Sequence, residues 1–166
     1  MNVLRSLSLS LAAAGLVMSA AAISPAHAAN ENSELAELRH AMTRFKALDH
    51  AFVAGWTEDI TGCLSSPEGG MGHHFADFGA LLDGGAVEAT RPELLVYAPD
   101  HRGGLKLVAV EYLVFADDLQ GDPIPELFGQ QFHFNPVVDA WVLHAWIGQH
   151  NPNGMFADWN PNVSCD

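Results

Sequence analysis

The residues that could do chemistry are a few polar side chains set in apolar company. The chain has nine histidines. His144 sits at the centre of WVLHAWIG, Glu111 inside LKLVAVEYLVF, His133 in FGQQFHF, and the pair His73-His74 in GGMGHHF. Strand side chains alternate between two faces. Glu111 is therefore expected on one face with Leu107, Ala109, Leu113 and Phe115, and His144 with Val142 and Trp146. His133 shares a face with Gln131, while Phe132 and Phe134 point the other way. A buried carboxylate costs several kcal/mol unless it is neutralised or paired. His133 and His144 are the candidate partners for Glu111.

Imidazoles and a carboxylate from neighbouring strands are the usual ligands of a divalent transition metal such as zinc or copper. The sharpest expectation is thus a metal or small-ligand site built from His74 (or His73), Glu111, His133 and His144. Gln131 would be a hydrogen-bond donor beside it and Trp146 an aromatic wall. The same residues could work without a metal, Glu111 and a histidine acting as acid and base in a small hydrolase or isomerase. A third reading is structural: a satisfied polar network, or histidines on a solvated face of an envelope protein that binds a partner. HExxH, GxSxG, P-loop and GxGxxG motifs are absent. The histidine doublet is HH rather than the HxH of a cupin.

The elements that must position these residues follow from periodicity. Leu35, Leu38, Met42, Phe45, Leu48, Phe52 and Trp56 recur at steps of three or four, which predicts one amphipathic helix over residues 33–56 with Ser33 as its N-cap. Residues 57–91 are rich in Gly, Ser and Pro and read as irregular, with HHF as a short strand or a loop edge. Strands are expected at 93–98, 105–115, 128–134 and 141–148. One helix, an irregular segment and two hairpins make an α+β domain: the N-terminal helix packs on a mainly antiparallel sheet of four or five strands. The segment from Asn151 to Cys165 would cover it, pinned by Met155, Phe156 and Trp159.

Ahead of the helix, Arg5, the apolar run Leu7 to Ile23 and the string Ala26-His27-Ala28 have the order of a secretory signal peptide cut after Ala28. Residues 29–166 would then be the mature domain, exported to the periplasm or the medium. Lys and Arg number 7 against 20 acidic residues, a formal charge of −13. Such a surface repels nucleic acid and anionic lipid. After cleavage no membrane partner is expected, only a metal ion or small ligand. Two cysteines, Cys63 and Cys165, in an oxidising compartment predict a disulfide that ties the C-terminal segment to the region after the helix.

The strings GGMGHHF, LVAVEYLVF, LFGQQFHF and LHAWIGQHNPNGMFADWNPNVSC together resemble a family of small exported bacterial proteins of unassigned function. Its pattern runs MGxHF, VEY, LFGQ, LHxW and NPxGMFxDWNPxVSC. The resemblance covers most of the chain after the helix. It implies export, the two cysteines in this frame, and His74 rather than His73 at the patterned position.

Overall fold

The computed structural model describes residues 25–166, with side chains from residue 29. The signal-peptide expectation falls mainly on the residues outside that range. Helix α1 spans Pro25–Met42; a 3-10 turn, Thr43–Lys46, and helix α2, Leu48–Ala54, follow. The predicted single helix is therefore three pieces. Ala47 takes an extended conformation (φ −94°, ψ 122°) and ends the 3-10 turn, so the apolar stripe is carried round a corner. Leu35, Leu38, Met42 and Phe45 are buried as the stripe requires, but Phe52 is exposed. Ser33 lies inside α1 and is not its cap. Trp56 opens the first strand instead of closing the helix, and its indole N–H donates to the Pro92 carbonyl.

The strands are β1 (Trp56–Ser66), β2 (Gly69–Asp77), β3 (Leu94–Pro99), β4 (Leu105–Phe115), β5 (Glu126–Leu127), β6 (Gln130–Gln131), β7 (His133–Asn135) and β8 (Ala140–Ala145). Short helices α3 (Phe78–Leu81) and α4 (Ala116–Leu119) follow β2 and β4. The main sheet is antiparallel, in the order β1-β2-β3-β4-β8-β7, and β5 and β6 pair separately. The α+β class stands, with six strands in the main sheet rather than four or five.

Two corrections concern the sheet. The segment expected to be irregular contains the β1–β2 hairpin. Its glycines act as conformational necessities within strands: Gly72 has φ +114°, and a Cβ there would lie 2.6 Å from the Tyr97 carbonyl oxygen on β3. The strand expected at 128–134 is broken. Phe128 and Gly129 adopt positive φ, which turns β5 into β6, and only His133–Asn135 joins the main sheet.

The helical face of the sheet holds the main core, where Phe75, Leu95, Tyr97, Val110, Tyr112 and Leu143 meet α1 and the 3-10 turn. The Tyr97 hydroxyl donates to the Phe45 carbonyl and fixes that packing. Leu107 belongs to this face, not to that of Glu111. Val96 pairs with Ala109 but Tyr97 with Leu107, so Val108 is an extra residue, a bulge that reverses the alternation.

The opposite face carries two smaller apolar clusters. One comprises Ala76, Leu81, Leu94, Leu113, Ala140 and Val142, and the other includes Val96, Ala109, Trp146 and Val163. The C-terminal segment lies over it. The Trp146 amide donates to the Met155 carbonyl, and its indole donates to Ala157 (2.6 Å). The segment then returns to β2, where Gly70 donates to the Asn160 and Val163 carbonyls. A Cβ on Gly70 would overlap Val163, so glycine is what permits this approach. Cys63 and Cys165 form a disulfide that fastens the segment to β1. No helix among the described residues is long and apolar enough to cross a membrane.

Candidate functional site

All four expected site residues stand on the face away from the helices, and three of them, His74, Glu111 and His144, are gathered together there. Glu111 on β4 is directly paired with His144 on β8 and with Leu94 on β3, and His74 on β2 with Val96. Residues opposite one another in an antiparallel sheet point to the same side. His74 Nε2 lies 3.3 Å from Glu111 Oε2. The His74 and His144 rings are 6.1 Å apart, centre to centre, and His144 leans on Trp146 at 4.7 Å. His74 and His144 are 2% and 1% exposed. His73, its neighbour in sequence, points to the other face with Phe75 and Tyr97 and pairs with Asp59 at 2.7 Å.

His74 is oriented by a residue that sequence reading left in an irregular stretch. Between Asp59, paired with Phe75, and Cys63, paired with His73, strand β1 carries two more residues than β2. Ile60, Thr61 and Gly62 bulge outward, with Gly62 at φ +63° and Asp59 Oδ1 accepting from the Thr61 and Gly62 amides. The bulge brings the Thr61 hydroxyl to His74 Nδ1 (3.1 Å). Thr61 donates its single proton to the Gly62 carbonyl, 2.7 Å away, so toward His74 it can only accept. His74 therefore carries its proton on Nδ1 and presents a bare Nε2 to Glu111.

The electrostatics agree. Burial lowers His74 to about 4, against the pull of Asp59. Burial, reinforced by the charges of Asp158 and Glu93, raises Glu111 to about 8. At neutral pH Glu111 is thus a carboxylic acid in contact with a neutral imidazole. His144 is held well below the ordinary histidine value, by burial first and then by His74 and His133. Neither of its ring nitrogens has a hydrogen-bond partner.

His74 and Glu111 form the polar floor of a cavity of about 280 Å³. Its walls include Leu94, Leu113 and Val142 from the sheet, Ile60 and Leu64 from β1, Val137 and Val138 from the β7–β8 turn, and Asp158 and Trp159 from the C-terminal segment. Ile60, Val137 and Val138 are exposed at its rim. A larger groove of about 390 Å³ runs beside α1, lined by Arg39, Lys46, Lys106 and Ile147 among others. Its cations are exposed, and Lys106 bonds to Gln149.

The remaining expected residues are set apart from these three. His133 is half exposed at the sheet edge, its Nε2 3.3 Å from Asp158 Oδ2. Gln131 is exposed on β6. Trp146 is buried behind His144 and does not line the cavity. As placed, no three His, Cys, Asp or Glu side chains among the described residues make a ready metal shell. Asp158 and Asn135, which also line the cavity, were not expected. Another buried acid, Glu93, accepts from the Leu113 amide at 3.0 Å and serves the fold.

Comparison with known proteins found no matching family model, no matching curated protein and no matching solved structure.

Proposed function

We propose that this is an exported protein that holds a small ligand in the cavity over β2, β4 and β8, its polar head against the His74–Glu111 pair. The observation that carries the reading is a buried, neutral His–Glu pair at the floor of an apolar-walled cavity with an open rim. Small-molecule sites have this character: hydrophobic walls and a few fixed polar groups. The paired acid and imidazole offer an acceptor and a donor without a net charge, while Trp159 and the valines take an apolar body. Export is supported by the disulfide, which persists in oxidising compartments, and by the leader-like composition of the first 28 residues.

The test is a screen of small alcohols, amides and amines by ligand-observed NMR, on the wild-type chain and on Ile60→Trp. The variant fills the mouth from an exposed position. Hits are expected to weaken at least tenfold in Ile60→Trp and in Glu111→Gln. If wild type gives hits that neither variant affects, the cavity is not the binding site.

A second reading rests on Glu111 alone. A carboxyl that titrates near 8 beside a neutral imidazole is poised for proton transfer to a bound molecule. It predicts a turnover abolished by Glu111→Gln and retained after chelation.

A further inference from the structure

Among the described residues, His144 stands out as a buried polar side chain with no partner. It is 1% exposed, and both ring nitrogens lack a partner, in a fold that satisfies its other buried polar side chains among the described residues. An unsatisfied buried polar group costs about 1–3 kcal/mol. Apolar residues fill the neighbouring positions Val142 and Ala145 without that cost. The imidazole stands directly across from Glu111 and edge-on to His74.

We propose that His74, Glu111 and His144 close on one divalent transition-metal ion at the floor of the cavity. The proposal rests on the cavity being the functional site, and it narrows the larger set expected from sequence to three ligands by leaving out His133. Three observations carry it. The first is spacing. His74 Nε2 and Glu111 Oε2 are 3.3 Å apart, and two ligand atoms about 2 Å from a tetrahedral ion are separated by about 3.3 Å. The pair already has the length of one edge of the shell.

The second is orientation. Metal-bound histidines usually donate the other ring N–H to an acceptor that fixes the tautomer. Thr61 does this for His74 Nδ1, with its own proton committed to Gly62. The lone pair is left on Nε2, 3.3 Å from Glu111 Oε2, and a metal bound there takes the place of the acid proton, which goes to solvent.

The third is freedom of His144 to move. Two imidazoles on one tetrahedral ion have ring centres about 5 Å apart, against 6.1 Å here. Closing that gap of about 1 Å breaks no hydrogen bond, because His144 makes none. His74 and Glu111 line the cavity, so a ligand head there would meet an ion held by them. His133 is left out because it is half exposed at the sheet edge, beside Asp158, while the other three are buried together.

The experiment is titration of the full chain, disulfide intact and stripped with chelator, with Zn²⁺ followed by calorimetry and with Co²⁺ followed by its visible d–d bands. One ion per chain is expected. Imidazole ¹⁵N spectra of the wild type should show Zn²⁺-dependent shifts for His74 Nε2 and for one nitrogen of His144. Affinity should fall at least tenfold in His144→Ala and in Glu111→Gln, and stay within about twofold in His133→Ala. Thermal melts in metal-free buffer verify that each variant is folded. The proposal is overturned if wild type takes up neither ion, if the His144 resonances do not respond, or if His133→Ala loses as much affinity as His144→Ala. Fragments that bind the metal-free chain and are blocked by Ile60→Trp, with no Zn²⁺ uptake, would sink the metal while leaving the cavity reading intact.

Discussion

Glu111 and His144 face each other across β4 and β8, on the sheet face that α1 does not cover. Each is buried and each is neutral near pH 7, the one by gaining a proton and the other by losing it. That relationship gives the stability of the chain a defined dependence on pH.

Glu111 has its folded value raised to about 8 and Glu93 to about 7, both from 4.5. Between the unfolded and folded values the folded state binds more protons than the unfolded one, so stability falls as pH rises. His74 is lowered from 6.5 to about 4. There the unfolded state binds more protons, and stability rises with pH between those values. The two effects oppose each other below about 6.5, and above it only the acids act. The metal-free chain should therefore lose stability from pH 6.5 to 8, with a limiting slope of about 1.4 kcal/mol per pH unit for each acid still protonated in the fold, Glu93 dropping out near 7 and Glu111 near 8. Urea denaturation of wild type and Glu111→Gln across this window checks it: the variant should lose much of the slope, and equal slopes would contradict the assignment.

What sequence made legible was the set of residues that break an apolar pattern. Glu111 and His144 stand out because strands β4 and β8 are regular enough for alternation to place them, and they do share a face. What it hid lies at the irregularities. The Val108 bulge moved Leu107 to the other face. The Ile60–Gly62 bulge delivered Thr61 to His74 from a stretch with no strand period. Ala47 broke a helix that the spacing of apolar residues made continuous. Bulges and corners are fixed by long-range pairing, which a single chain's periodicity does not record.

Thr61 provides a second test. Thr61→Val keeps the shape and removes the acceptor, leaving the His74 Nδ1–H unsatisfied in a buried setting. The expected loss is about 1–3 kcal/mol, read from urea denaturation at pH 7. Thr61→Ser should restore most of it, because the hydroxyl and not the methyl is required. A Thr61→Val chain as stable as wild type would mean that His74 is oriented by something else.

The disulfide spans a sequence separation of 102 residues. The chain-entropy relation gives about 4–5 kcal/mol for such a loop. Cys63→Ser with Cys165→Ser should lower stability by up to that amount. It should also loosen the end of the segment that supplies Asp158 and Trp159 to the cavity. Hydrogen exchange should then accelerate at the Gly70 amide, which bonds to Asn160 and Val163. Unchanged protection there would show that the segment holds its place without the covalent tie.

Asp158 couples the cover to the floor. Its charge helps to raise Glu111, while its bond to His133 is half exposed at the sheet edge. Exposed ion pairs of this kind contribute about 0–1 kcal/mol, so His133→Ala should leave stability nearly unchanged. Asp158→Asn removes a negative charge beside Glu111 and makes its ionisation easier. The Glu111 carboxyl, followed by ¹³C NMR, should then titrate at lower pH than in wild type, while burial still keeps it above the ordinary value. A Glu111 titration that does not move would separate the C-terminal cover electrically from the site. It would leave burial and Glu93 as the groups that hold the acid proton in place.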